Sequence, residues 1–275
     1  MSVRRQTARW LEVVYGGSPV ADDPAEAYHE ASKLDPSQIA RQLEGTRRLA
    51  ASPHLLLSSS RAVKRHGRPR VALPPPAELS PPLGEVITSR RSERAFDRRP
   101  IPGAALAALL HAGYGVTGLL PPEDDRPALP LRAVPSGGAL YPLELYPAVL
   151  RVGNVKRGLY HFDPLSPGLE LLRSGLREEE LAALSTYPEV ASSCAALVLV
   201  AAIFGRTRFK YGLRGYRFAL LEAGHVAQNL ALAATALGLA AVPLGALYDR
   251  RTDAFVGLDG VNESTVYAVA VGRIA

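Results

Sequence analysis

The sequence predicts a sheet covered by helices, of α+β or α/β class. Segments of strand character alternate with segments of helical spacing, and the most apolar strand candidates come late. Of these, "AALVLVAAIF" reads as a fully buried strand, and "AAVPLGAL" and "STVYAVAVG" as further strands. With 275 residues, 47% of them apolar, the chain can bury a substantial core as one large domain or as one domain with an extension.

From the N-terminus, Asp22–Asp23–Pro24 starts a helix over "AEAYHEASKL". Asp35–Pro36 offers a second N-cap and N1 pair before "SQIARQLEGTRRLAA". From Pro53 to Pro82 periodicity fades into Ser, Arg and Pro, which reads as a linker. The expected organisation is therefore an N-terminal helical extension with a Pro-rich linker, residues 1–80, and a second domain, residues 81–275. A short helix ending in "ITSRRSERAFD" precedes "PGAALAALLHAGYG", where Ala and Leu recur at helical spacing. Val116 to Pro130 reads as a loop with charges at its tip. Strands follow at "LELYPAVLRV", "GLYHFDP" and "GLELLRS", the last two joined as a hairpin through Pro164–Gly168. "REEELAAL" is a short helix. Arg217 to Leu239 is a long one, entered through a loop-like mouth carrying Lys210, Tyr211, Arg214 and Tyr216. There is no internal repeat.

Composition excludes several classes. The one cysteine, Cys194, precedes an apolar run and reads as a small buried hydrophobe, which rules out a disulfide framework and fits a reducing cytoplasm. The six histidines are scattered and no H-E-x-x-H or C-x-x-C pattern occurs, so no metal is expected. Neither G-x-G-x-x-G nor a P-loop is present. "MSVRRQTARWLEVVYGG" lacks the apolar core of a signal peptide. The longest apolar stretch, Ala231 to Leu247, is broken by Gly238, Pro243 and Gly245, so no membrane span is expected. The net charge of +6 raises nucleic acid as a partner, with "RAVKRHGRPR" as the densest basic run. Without interleaved aromatics that run reads as a solvated linker, and no nucleic acid is expected.

Three stretches carry chemistry. Arg90, Arg91, Ser92 and Arg94 set three guanidiniums and a hydroxyl within five residues, enough to wrap a phosphate; the alternative is an exposed basic helix end. Pro135, Ser136, Gly137 and Gly138 expose backbone N–H groups to a planar, acceptor-rich ligand, unless they form an ordinary loop before a strand. Only four of the 32 basic residues are lysines, and Lys210 is one of them. Unlike arginine, it can lose a proton near neutral pH. Glu222, His225 and Asn229, at i, i+3 and i+7, form a polar stripe that reads as internal hydrogen bonding more than cofactor contact.

Taken in order, "RRSERAF", "PSGGALYP", "AAVPLGAL" and the terminal "VGR" resemble the FMN-dependent nitroreductase family. "KYGLRGYRFALLEAGHVAQNLALAATALGL", with "AYHEASKL" upstream, narrows the resemblance to the SagB-type dehydrogenases, which include azoline oxidases. The resemblance covers about Pro82 to Ala275, and Ala27 to Leu34 more thinly. It implies an α+β flavoprotein with a central, mostly antiparallel sheet covered by helices and two FMN sites at an intimate homodimer interface. Arg90, Arg91, Ser92 and Arg94 would hold the phosphate, ribityl and pyrimidine edges of FMN, with Arg273 as a further phosphate partner. Pro135, Ser136, Gly137 and Gly138 would contact the flavin from the other protomer, and backbone at Leu244 and Gly245 would meet its N5 side. Ala139 stands where many nitroreductases carry asparagine, a departure at one flavin contact.

Lys210 and Tyr211 match the catalytic lysine–tyrosine pair of azoline oxidases. The implied reaction converts a thiazoline or oxazoline of a peptide-derived substrate to an azole in natural-product biosynthesis. FMN takes a hydride, a base takes a proton, and dioxygen reoxidises the flavin. An ordinary lysine titrates near about 10.4, so burial or the neighbouring Arg214 and Arg217 would have to depress it. The implied partners are a second copy of the chain and a peptide or carrier-bound azoline, with a cyclodehydratase or peptide synthetase alongside. The competing readings are a NAD(P)H-dependent nitroreductase or enamide reductase on the same scaffold and, more remotely, a basic nucleic-acid-binding module.

Overall fold

The computed structural model describes residues 23–37, 39, 44–122 and 128–275. The readings made on Met1–Gly17, on Asp22 and on the charged tip Glu123–Arg126 lie outside them, as does part of the helix expected after Asp35–Pro36.

The strands are β1 (Arg70–Val71), β2 (Phe96–Asp97), β3 (Val116–Leu120), β4 (Leu129–Arg132), β5 (Leu143–Val149), β6 (Gly158–Asp163), β7 (Gly168–Ser174), β8 (Ala196–Ile203), β9 (Leu239–Leu244) and β10 (Glu263–Ile274). The helices are α1 (Pro24–Ala31), α2 (Glu44–Ala50), α3 (Pro53–Ser60), α4 (Leu83–Ser89), α5 (Gly103–Tyr114), α6 (Glu178–Ala182), α7 (Pro188–Ser193), α8 (Gly205–Tyr211), α9 (Arg214–Ala236) and α10 (Asp249–Val256). Eight strands form one sheet in the order β1–β7–β6–β5–β8–β10–β2, with β9 beside β10, and every pairing is antiparallel. The fold is α+β, which decides between the two classes open to the residue pattern alone.

Strand β8 sits at the centre, and successive side chains point to opposite faces. Val198 and Val200 join α5 and the Ala219, Ala223, Val226 and Leu230 face of α9. Leu197 and Leu199 join the opposite cluster, with Leu181, Leu184, Val190 and Val256 from the short helices. With helices on both faces the strand is apolar throughout, the pattern that made it legible. Cys194 is fully buried just before it, and burial pushes the thiol up to about 12, consistent with its reading as a small hydrophobe.

Several readings need correction. The supposed loop Val116 to Pro130 is most of a hairpin: β3 and β4 pair from Val116↔Arg132 to Leu120↔Leu129. Its prolines look like breakers, but Pro130 lies in a strand with a single partner, where a missing N–H is tolerated. Within the expected linker, Pro53 opens α3, capped by the Ser52 hydroxyl, which accepts from Leu55 N–H at 3.2 Å. The basic run that follows keeps its four arginines exposed, as expected, but it is tethered rather than free. Lys64 pairs with Glu263 at 2.5 Å, and Arg65 and Arg70 both pair with the buried Asp163. His66 packs edge-on to His161, whose Nε2 lies 2.7 Å from Glu144. The charge that raised nucleic acid is largely spent on the protein's own carboxylates.

The long helix α9 starts and ends three residues before the predicted Arg217 and Leu239. Gly238, at φ +65°, turns the chain so that Leu239 opens β9. Only one face of α9 is covered within the protomer; Leu220, Leu221, Gly224, His225 and Gln228 are exposed along the other. Among the described residues no helix is long and apolar enough to cross a membrane.

Candidate active site

The basic, phenol-rich mouth of α9 is not a loop. It is the separate helix α8, ended by Gly212 at φ +54°, which places Lys210 and Tyr211 in its last turn. Helices α8 and α9 meet closely: the Thr207 hydroxyl donates to Gly215 O at 2.9 Å, and a Cβ at Gly215 would stand 2.7 Å from Thr207 backbone. The Tyr211 ring meets Phe218 edge-on at 4.9 Å, and Lys210 Nζ lies 4.9 Å from the Tyr211 ring centre. Both polar tips reach the glycine loop. A Cβ at Gly138 would stand 2.5 Å from Lys210 Nζ and 2.7 Å from Tyr211 Oη. Gly138 is also left-handed (φ +68°), followed by Ala139 (φ +53°) and, after Leu140, by Tyr141 (φ +44°). A non-glycine residue in that region costs roughly 1–2 kcal/mol, so strain is concentrated where the two stretches meet.

A buried polar network underlies the loop. Glu222, 2% exposed, accepts from the Tyr114 hydroxyl at 2.7 Å, and that oxygen accepts from Leu143 N–H at 3.0 Å. Ser136 Oγ accepts from Tyr141 N–H at 2.9 Å. The Arg132 guanidinium stacks 4.4 Å over Tyr114 and 4.6 Å over Tyr141. None of Tyr114, Arg132 or Tyr141 was picked out from the sequence, because nothing local marks a pair 108 positions apart. Asn229 donates to Ala112 O at 2.9 Å, as the internal reading of the stripe expects, whereas His225 is exposed.

Burial raises the Glu222 carboxyl from 4.5 to about 7, with the Ser136 and Tyr114 hydroxyls pulling it partly back. The folded protein then keeps a proton that the unfolded chain releases, so stability falls as pH climbs through this interval. Glu222→Gln keeps the acceptor for Tyr114 and should remove that fall, gaining about 3 kcal/mol over the parent at pH 8 but little at pH 4.5. Denaturant titrations at the two pH values check it; an equal change at both would refute it.

The arginine group lies elsewhere. Arg90 caps α4, and Arg91, Ser92 and Arg94 follow in an exposed, irregular segment pinned by Glu93 N–H to Ala241 O at 3.1 Å. The Arg91 guanidinium donates to Thr88 O and Arg90 O. Arg273 stands opposite Asp97 in the β10–β2 pair and donates to Pro100 O at 2.9 Å. Among the described residues none of these four arginines forms an ion pair, so their charge is available to an anion. Leu244 closes β9, three positions beyond Ala241, and Gly245 follows it.

The glycine loop and the arginine segment pack against different parts of the chain. The glycine loop packs on Phe218 at the start of α9. Helix α4 faces Leu232, Ala233 and Ala236 at its end, across an apolar cleft. Arg214 and Arg217, expected beside Lys210, reach Ser32 O at 3.4 Å and Ser32 Oγ at 2.8 Å instead.

The sequence profile of the nitroreductase family matches residues 87–273. The chain belongs to that family. The match takes in the arginine segment, the glycine loop, Lys210–Tyr211 and Arg273. Among relatives, a Methanocaldococcus jannaschii protein provisionally named a nitroreductase is 39% identical over 168 residues, 61% of this chain and 80% of its own. The microcin B17-processing protein McbC of Escherichia coli is 38% identical over 113 residues. That match spans 39% of this nitroreductase-family chain and only 42% of McbC. Among solved structures, a chain of the Escherichia coli microcin synthetase McbBCD complex, with truncated pro-MccB17 bound, superposes with a TM-score of 0.57 at 23% identity. It covers 91% of this chain and 92% of its own, and establishes likeness of fold.

Proposed function

We propose that this chain is an FMN-dependent azoline oxidase that converts thiazoline or oxazoline rings of a peptide to azoles. The observation that carries the reading is the convergence of Lys210 Nζ and Tyr211 Oη on Gly138, in the loop that would face the flavin. McbC, named as a peptide-processing protein, supports the peptide as substrate class. The fit to FMN rests on the donor set: four arginines free of ion pairs, and a glycine whose absent Cβ leaves room for Lys210 and Tyr211.

Residues 81–275 would form the flavin domain and residues 1–80 an extension to it. Arg90, Arg91, Ser92, Arg94 and Arg273 would hold the phosphate, ribityl and pyrimidine groups, and Pro135–Gly138, Leu244 and Gly245 would border the ring. Each site would draw its arginines from one protomer and its loop from the other. Leu83 and Ile87 on α4, 65% and 54% exposed, and Leu220 and Leu221 on α9, 42% and 60%, provide apolar surface for a two-fold partner.

Azoline oxidation breaks two C–H bonds; one hydrogen leaves with the bonding pair and its neighbour leaves as a proton. FMN, when bound, would supply the hydride acceptor, with dioxygen as the final oxidant and hydrogen peroxide as its two-electron, two-proton product. Lys210 would take the proton at Nζ, and Tyr211, held by Phe218, would orient the ring through its hydroxyl. The test is aerobic turnover of a thiazoline-bearing peptide by flavin-loaded protein, read as loss of two hydrogens by mass with matching peroxide. No thiazole, together with NADPH-dependent reduction of a nitroaromatic, would favour the nitroreductase alternative.

Purified protein should be yellow, with one flavin per chain. Arg90→Ala should weaken FMN retention by about 1.5–3 kcal/mol, the value of a charge-assisted hydrogen bond. Flavin fluorescence on dilution measures this, and an unchanged Kd would remove Arg90 from the site.

A further inference from the structure

The N-terminal helices lie directly against the helix that carries Lys210 and Tyr211. Gly45 in α2 makes the close approach possible: a Cβ there would stand 2.4 Å from Phe209 O and 2.7 Å from Lys210 Cα. The Tyr28 hydroxyl of α1 donates to Leu213 O at 3.0 Å, and Arg217 donates to His29 O at 2.7 Å and to Ser32 Oγ at 2.8 Å. The Tyr28 ring meets Tyr216 edge-on at 5.5 Å.

Between these helices and α8 lies a cleft of about 460 Å³ that is lined in part by Lys210 and Tyr211 themselves. Its described lining carries Lys33, Arg48, Arg208, Lys210 and Arg214 against one carboxylate, Glu44, and Lys33 is paired with Glu30. Glu44 is already committed to Arg48. Arg208 is exposed and in no ion pair among the described residues. Arg214 is half-buried, and its Nε is buried with no hydrogen-bond partner. Arg208 and Lys210 form no ion pair among the described residues, so an entering carboxylate would meet uncompensated positive charge there and form charge-assisted bonds.

We propose that the N-terminal helices form a wall of the substrate site, and that the cleft they close takes an acidic segment of the peptide beside the ring, with Arg208 and Arg214 binding its carboxylates. This rests on the reading that Lys210 and Tyr211 face the substrate ring. The extension then selects substrate: a peptide whose flanking carboxylates settle in the cleft presents its neighbouring ring to Lys210.

The test uses full-length, FMN-loaded protein and three thiazole-bearing, non-reacting probes: a peptide with aspartate on both sides of the ring, the same peptide with asparagine, and a phosphopantetheine thioester. Calorimetry should find the aspartate probe bound about tenfold or more tightly than the asparagine probe, a preference that shrinks with added salt. The preference should vanish in Arg208→Gln/Arg214→Gln and turn towards a lysine-flanked peptide in Arg208→Glu. Equal affinity for the two peptides, or no binding of either, overturns the proposal. A preference for the thioester over the aspartate peptide overturns it in favour of a carrier-bound substrate. Turnover of the corresponding thiazolines is scored separately. Aspartate preference without turnover would sink the oxidase reading and leave the cleft assignment standing; turnover without that preference would do the reverse.

Discussion

Lys210→Ala and Tyr211→Phe should keep flavin and fold yet lose turnover of a thiazoline peptide by about 10²–10⁴-fold, the range for loss of a positioned acid or base. Lys210→Arg should fail almost as badly, because a guanidinium keeps its proton throughout the working pH range. The competing idea, that Lys210 only neutralises a nearby carboxylate such as Glu222, predicts an active arginine variant. The geometry already weighs against it: Glu222 is engaged by Tyr114, while Lys210 is held at the Tyr211 ring and Gly138. Rates for the three variants at matched flavin occupancy decide the matter. Near-parental turnover by Lys210→Arg would remove the base role.

Mixing two inactive chains should restore activity. If each site takes arginines from one protomer and Lys210 with the glycine loop from the other, Arg90→Ala/Arg94→Ala and Lys210→Ala will each form dead homodimers. A heterodimer of the two concentrates both defects in one site and leaves the other intact. Equal co-expression gives half heterodimers with one working site in two, so roughly a quarter of parental turnover should return. A site built within one protomer would be damaged in every combination, and no recovery would follow. The expectation stands on the apolar surface that Leu83, Ile87, Leu220 and Leu221 offer to a two-fold partner.

Much of this protein was legible in its sequence. The strands β5 to β10 were marked by apolar runs, and the hairpin between β6 and β7 by its prolines and glycine. The arginine segment, the glycine loop and the lysine–tyrosine pair were each visible as stretches, because their residue types and short spacings are local facts. The failures were also local. Prolines concealed the β3–β4 hairpin and α3, since a residue that breaks a central strand is harmless on an edge and favourable at N1. The tethering of the basic run Arg61–Arg70 was not legible because its counter-charges, Asp163 and Glu263, lie on strands far along the chain.

By itself the sequence determined most of the segments that become strands and helices, through short-range sterics and the periodicity of apolar side chains. Only the tertiary structure decided which of them meet. It set Lys210 and Tyr211 on Gly138, gave Glu222 to Tyr114, laid the N-terminal helices on α8 and pinned the arginine segment to β9 through Glu93 and Ala241. Contacts of that kind depend on how whole faces pack, and no residue carries in its own neighbourhood the identity of a partner brought to it by a sheet and a long helix.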